Sequence, residues 1–526
     1  MILDFDELEP GTEIATDLCI VGAGAAGIAL ARELAGGRLD VCVLESGGFE
    51  DDEATRELGR GEITGRPYQP LEETRMRAFG GSTNIWHGAC TPLNALDFER
   101  RSWVPDSGWP ITLQTLEPYY RRAQQVCSLG PYEYGEECWQ RAGLEPPDLD
   151  PQKLVARFFR YSREPRFGTY YREELRRASN LRVFLHANAT RLVPDAAGRR
   201  LDHVEVRSLQ GGRGRVRARA FVLAAGGLEN PRLLLDSAAR EAPGLGNRND
   251  LVGRYFMEHT YLQSGFLVPR SEEDARRLFL LMQSGSWTVG PGFRLAEPLQ
   301  KQQRVLNSAI RLAEGTQLDS RAVVAALRIG AAIQQGTLPE SFGTEAWTAL
   351  GDIDDVFRAG YGAWRYDDWH HGEPRGLAVF AQTEQSPNPA SRVHLLQERD
   401  ALGMRRIALD WRLAELDRRS VRVMTERFAA EFARLDLGRV QLAEWIREED
   451  GGWGENMGFG HHHCGTTRMA HSPASGVVNP DCRLHEVENL YLAGSSVFPT
   501  NGFANPTLTI VALALRLADH LGRTLG

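Results

Sequence analysis

Lysine is almost missing from this chain: of 61 basic side chains among its 526 residues, only Lys153 and Lys301 are not arginine. That bias carries no functional reading. Net charge is −9, and no run of like charge is long enough to form a tail. Nothing in it recruits nucleic acid or an anionic membrane by electrostatics. The seven cysteines (Cys19, Cys42, Cys90, Cys127, Cys138, Cys464, Cys482) are scattered, odd in number and without a CxxC pair. The pattern argues against a disulfide framework and suits reduced thiols in a cytoplasmic enzyme. No apolar run approaches the ~18 residues of a membrane span. The acidic start, MILDFDELEP, lacks the basic-then-apolar order of a secretory signal. There is no internal repeat and no low-complexity linker. The expectation is a soluble, cytoplasmic protein. Its 42% apolar and 25% charged residues are a globular balance, and its length suggests roughly two to four domain-sized units.

The first strong signal is DLCIVGAGAAGIALARELAGGRLDVCVLE at 17–45. Leu18–Val21 reads as a short buried strand, the Ala/Leu-rich stretch to Leu34 as a helix, and Val41–Leu44 as a second strand ending at Glu45. Gly22, Gly24 and Gly27 fit GxGxxG. They provide a tight turn, close backbone approach to a pyrophosphate, and close helix-on-strand packing. Phosphates favour the helix N-terminus, where unpaired N–H groups and the dipole meet an anion. Glu45 stands about 20 residues on, where a carboxylate takes a ribose hydroxyl and disfavours a 2′-phosphate. The bland alternative, an ordinary glycine turn, lacks this flanking order. A dinucleotide site without NADP is the reading.

Two later strands end in small residues: Phe221–Ala225 before Gly226-Gly227, and the NLYLAGSS run ending at Ala493-Gly494-Ser495. Small residues let a flat ring or a phosphate lie against backbone. No second GxGxxG has a strand before it and an acid after it. Electrons are therefore expected from the substrate rather than from NADPH.

Several further segments follow in order: AFGGSTNIWHGACTPL at 78–93, SGWPI with LEPYYRRA, VLAAGGLENPRLLL, LVGRYFMEHT at 251–260, and SPNPASRVHL. The C-terminal run is HCGTTRM…VVNPDCRLHEVENLYLAGSSVFPTNGFANPTLTIVALALRLADHL. With VGAGAAG, these resemble the glucose-methanol-choline (GMC) oxidoreductase family, pyranose-oxidase-like branch, over nearly the whole chain. The resemblance implies an α/β fold. A Rossmann-like FAD-binding domain is assembled from discontinuous segments (1–98, 181–258 and 451–526). A second, α+β substrate-binding domain is built on a mostly antiparallel sheet (259–450), joined by a helical connection that also contributes to it (99–180). Implied FAD contacts are Gly22, Gly24, Ala25, Ala26, Gly27, Glu45 and Ser46, then Gly80, Gly81, Ser82, Asn84 and Trp86. Ala189, Ala225, Gly226, Gly494, Ser495, Pro506 and Thr507 complete them.

The run GHHHCGTT raises the possibility of a metal site at His461, His462, His463 and Cys464. Consecutive residues project in different directions, and zinc motifs space their ligands by two or more. No metal is expected. The resemblance assigns catalysis to His462, three residues before Gly465-Thr466, and to Asn505 of the NPTLT segment. A neutral imidazole suits removal of the hydroxyl proton while hydride leaves for flavin N5, and a carboxamide can orient the substrate oxygen. Pro506 and Thr507 open an apolar helix reaching Leu521, whose N-terminus would favour negative charge on the reduced flavin. His461 and His463 are expected to pack or to bond as neighbours.

Asn84 stands where the branch often has a histidine bonded covalently to FAD, in Ser82-Thr83-Asn84-Ile85-Trp86-His87, so FAD is expected to be non-covalent, with His87 the alternative. Strands at Leu377–Phe380 and Arg406–Leu409 are expected in the substrate half. Trp347, Trp364, Tyr366 and Trp369 are candidates for stacking on a sugar or equally for packing. The expected reaction is oxidation of a secondary alcohol, a ring hydroxyl of a sugar or glycoside. The alternatives are a sugar-like moiety in secondary metabolism or a non-sugar alcohol such as a sterol. The expected partners are a small-molecule alcohol or sugar and an electron acceptor, oxygen or another carrier, with no nucleic acid and no membrane.

Overall fold

Two sheets share the work of building one cavity. The computed structural model describes residues 1–237, 244–314, 376–447 and 457–526, with positions 329, 342–343, 346 and 452–453 between them. The four tryptophan and tyrosine candidates at 347–369 lie outside the described residues.

The first sheet has eight strands. Ile2–Asp4, Leu181–Leu185, Val41–Leu44, Thr12–Val21 and Arg213–Leu223 run parallel in that order, followed by Leu201–Arg207 and Asn188–Pro194, antiparallel. Leu490–Leu492 adds in parallel to Arg213–Leu223. All four residues of Val41–Leu44 are buried, as expected of a parallel strand covered on both faces. Helix Ala25–Leu34 packs against the C-terminal helix Thr507–Leu525, which in turn packs on Leu113–Val126. Alanines at 512, 514 and 518 of the C-terminal helix are fully buried and let the helices approach closely. Its first residue is Thr507, with Pro506 one position earlier than expected, at the cap.

The second sheet has nine strands, and every pairing in it is antiparallel. Its centre is Thr260–Pro269, Leu377–Gln382, Ala309–Glu314, Trp287–Leu295 and Leu154–Tyr161. One face carries helix Glu415–Arg434, whose Phe428 and Phe432 pack against Phe293. The opposite face turns toward the first sheet. The expected strand at 406–409 is present as Arg405–Asp410, but it joins a separate three-stranded sheet with Arg392–Arg399 and Gly61–Ile63. Buried Arg232 ties that sheet to the first half by donating from Nε to the Arg405 carbonyl at 2.8 Å. Among the described residues no helix is long and apolar enough to cross a membrane.

Candidate active site

A cavity of about 920 Å³ lies where the two sheets face each other. Strand Thr12–Val21 delivers the chain into it at Gly22, whose φ is +104°. A Cβ there would stand 2.7 Å from the Ala224 carbonyl oxygen, so only glycine makes this turn. Gly27 does not line the cavity. A Cβ on it would stand 1.8 Å from the Gly22 carbonyl oxygen, so it serves helix-on-strand packing. Gly24, Ala25 and Ala26 line the wall at the start of a helix that no side chain caps. Its first N–H groups are thus left for an anion.

Glu45 is buried at the next strand end. Its Oε2 accepts from the Ala23 N–H at 2.8 Å, and its Oε1 from Gly47 N–H and the Ser46 hydroxyl, each at 3.1 Å. Burial pushes its pKa up, and these donors oppose the rise. Ser46, Gly81, Ser82, Trp86, Ala189, Ala225 and Gly226 share the wall, as do Gly494, Ser495, Pro506 and Thr507. Gly80 and Asn84 stand behind it. Gly80 donates its N–H to the Ala23 carbonyl at 2.9 Å, and Asn84 Nδ2 donates to the Phe79 carbonyl at 3.0 Å. Glu45→Ala should weaken retention of the bound dinucleotide, read as a lower flavin-to-protein ratio after dialysis, with an unchanged far-UV spectrum.

His462 reaches the same cavity from the other side of the sheet gap. A chain of bonds sets its tautomer. His259 Nε2 lies 2.8 Å from the Gly502 carbonyl, which can only accept, so that nitrogen carries the proton and donates. His259 Nδ1 is then bare and accepts from His462 Nδ1–H at 2.9 Å. His462 Nε2 is left with its lone pair free. Burial, then the neighbouring imidazoles, hold His462 well below the ordinary histidine value, and burial lowers His259 to about 4. Both rings are neutral across the physiological range. Glu258 anchors the backbone of both residues: its Oε1 accepts from the N–H of His462 at 2.7 Å and of His259 at 2.8 Å. Its carboxyl, fully buried, is raised to about 7 by that burial.

Asn505 is clamped at the head of the C-terminal helix. Its Oδ1 accepts from Gln382 Nε2 at 2.7 Å and from the Tyr261 hydroxyl at 3.4 Å, and its Nδ2 donates to the Ala89 carbonyl at 2.9 Å. One Nδ2 hydrogen is not used in these bonds. Tyr261, Ala89 and Asn505 all line the cavity, so the carboxamide and the free Nε2 open on one space. The other two histidines turn to separate partners, His461 to Gln69 and His463 to the Tyr68 hydroxyl. The three imidazoles thus have three different partners. Among the described residues, the cluster with metal-ligand atoms close together is Asp4, Asp6 and His186, away from the triplet.

Residues 17–247 match the family described as FAD dependent oxidoreductase, and residues 387–514 match GMC oxidoreductase. 6'''-hydroxyparomomycin C oxidase of Streptomyces lividus is 27% identical, over 98% of this chain and 94% of that enzyme. C-glycoside 3-oxidase of Arthrobacter globiformis is 45% identical over a 65-residue stretch, 12% of each chain. The crystal structure of a formate oxidase superposes with a TM-score of 0.55 at 17% identity, covering 97% of this chain and 98% of that one. The chain carries a GMC oxidoreductase C-terminal domain together with an FAD-dependent oxidoreductase domain.

It is therefore an FAD-dependent enzyme that acts on CH–OH donors. The residues of this enzyme fit the cofactor. An uncapped helix N-terminus suits the pyrophosphate, and buried Glu45 suits a ribose. Gly81 crosses Gly24 so closely that a Cβ on Gly81 would meet the Gly24 Cα at 2.8 Å.

Sequence reasoning missed four members of the site. His259 and Glu258 sit in the segment LVGRYFMEHT, whose only sequence signal is its family resemblance, and Tyr68 and Gln382 have no local signal at all. Tyr68 donates to Glu258 Oε2 and lies 3.1 Å from His463 Nε2, so one hydroxyl links the anchor carboxyl to the third histidine.

Proposed function

We propose that the enzyme oxidises a secondary alcohol, a ring hydroxyl of a sugar or glycoside, to the ketone, as in the pyranose-oxidase-like branch. The carrying observation is a neutral imidazole with a free Nε2 lone pair opening on the same space as a clamped carboxamide. His462 Nε2 takes the hydroxyl proton as the carbon gives up hydride. FAD, when bound, supplies the two-electron acceptor. The Asn505 Nδ2 hydrogen left over donates to the substrate oxygen and selects which carbon is presented. The N-terminus of Thr507–Leu525 favours negative charge close by. Relatives named for 6'''-hydroxyparomomycin C and for a C-glycoside support a glycoside as substrate.

FAD is held without a covalent bond, because Asn84 occupies the position of the bonding histidine and gives its amide to the Phe79 carbonyl. Acid precipitation should release intact FAD to the supernatant. Flavin left in the pellet would move the attachment to His87, which also lines the cavity. Seven buried free thiols support a cytoplasmic setting. The electron acceptor is oxygen or another carrier. Anaerobic bleaching of the flavin, screened over sugars, glycosides, sterols and simple alcohols, tests the substrate class. Bleaching by non-sugar alcohols alone would overturn it.

A further inference from the structure

The cavity has a polar corner that proton removal and hydride loss do not use. The antiparallel sheet contributes Tyr161, Tyr261 and Arg311 to the wall. Tyr261 pairs with Gln382 and Gln382 with Ala309, two residues before Arg311. The two-residue period of a strand thus puts Tyr261 and Arg311 on one face. The Arg311 guanidinium rides 4.5 Å over the Phe159 ring, and its Nη2 donates to the Tyr161 hydroxyl oxygen at 2.6 Å. No carboxylate among the described residues pairs with it.

The chemistry of that corner is one-sided. Tyr161 accepts from Arg311, so its own proton is left to donate, and the remaining guanidinium hydrogens donate as well. Donors with no acceptor between them among the described residues match a carboxylate, which only accepts. Gly290 lets the corner pack tightly: a Cβ there would stand 2.8 Å from Leu281 Cδ2, 3.7 Å from Tyr161 Cε2 and 3.8 Å from Arg311 Nη2. The acids on the wall, Glu45, Glu73 and Glu229, come from the dinucleotide half, where Glu229 is paired with Arg75 and Arg77. The described strands of the antiparallel sheet add none to the wall. A neutral substrate closing over a guanidinium that has no carboxylate partner among the described residues strips its water without replacement, and a cationic one adds repulsion.

We propose that Arg311 and Tyr161 form an anion subsite of the substrate pocket, and that the substrate carries a carboxylate on the sugar or on its aglycone. This rests on the alcohol-oxidising function proposed above and narrows it. Matched pairs test it: methyl glucuronide against methyl glucoside, and 4-carboxyphenyl glucoside against phenyl glucoside. Methyl 6-amino-6-deoxyglucoside is the cationic control. In the wild-type holoenzyme the acid member of at least one pair should give kcat/KM about 10- to 100-fold above its neutral partner, the effect of a charge-assisted hydrogen bond. Which pair responds tells whether the carboxylate sits on the sugar or on the aglycone. The amino sugar should be the poorest. Arg311→Leu should abolish the acid-to-neutral ratio, and Arg311→Lys should keep part of it. A wild-type ratio near one in both pairs, or a preference for the amino sugar, overturns the subsite without touching alcohol oxidation. If no alcohol bleaches the flavin, the function falls instead and binding still decides. Benzoate should perturb the oxidised flavin spectrum saturably in the wild type and about tenfold more weakly in Arg311→Leu. Equal titrations in both proteins overturn the subsite.

Discussion

His462→Ala should keep FAD bound and the fold intact, yet slow anaerobic reduction of the flavin by substrate roughly 10²- to 10⁴-fold, the range for losing a general base. The reasoning is local. His462 Nε2 is the bare nitrogen of a ring whose other nitrogen is committed to His259. The loss should shrink at high pH, where part of the substrate hydroxyl ionises without help. In the wild type the depressed pKa of His462 keeps the base free as pH falls through 6.5, so the acid limb should appear well below that value. A step near pH 7 that survives in His462→Ala belongs to Glu258. Asn505→Ala should also slow reduction, through lost orientation, but without rescue at high pH, because a carboxamide does not titrate. His461→Ala and His463→Ala should cost far less. Stopped-flow reduction across pH measures all four. Near-wild-type reduction in His462→Ala, or a larger loss at either neighbour, would move the base elsewhere.

What the sequence made legible was what backbone geometry demands locally. Gly27 answers a close approach within its own strand–turn–helix and Gly22 the positive φ of that turn, so the glycine spacing alone locates them, although the Ala224 carbonyl that also crowds Gly22 comes from a distant segment. The strands at 18–21 and 41–44 were visible because parallel strands buried on both faces are apolar throughout. Pairings between distant segments were not legible. Arg405–Asp410 looks like a strand of the substrate half, yet its parallel partner is Gly61–Ile63, a segment too short and too polar to announce itself. His259 and His462 are 203 residues apart, and Tyr68 and Glu258 are 190 apart. A histidine in a strand context carries no mark of which imidazole it will face. Arg311 was hidden for the same reason: an arginine on a strand reads as a solvated residue until the register places it beside Tyr161 and Phe159.

His259→Ala should then be the most damaging change outside the two residues that touch the substrate. His259 acts through His462 as a positioning residue: the Gly502 carbonyl fixes its tautomer, and it fixes that of His462 in turn. Without it the Nδ1–H of His462 loses its acceptor, and the ring can move its proton to Nε2, where it can no longer accept one. Partners that fix an imidazole's tautomer from behind typically account for about 10- to 100-fold, so flavin reduction should fall by that much with FAD retained. Water entering the vacated space should also raise the pKa of His462 toward the usual histidine range, since burial is the main cause of its depression. The acid limb of the reduction profile would then move up toward pH 6.5, a shift that simple loosening of the pocket does not produce. His259→Gln keeps a carbonyl oxygen able to accept from Nδ1–H and should recover part of both the rate and the acid tolerance. Reduction within threefold of wild type in His259→Ala, with an unmoved acid limb, would show that His462 holds its tautomer without this neighbour.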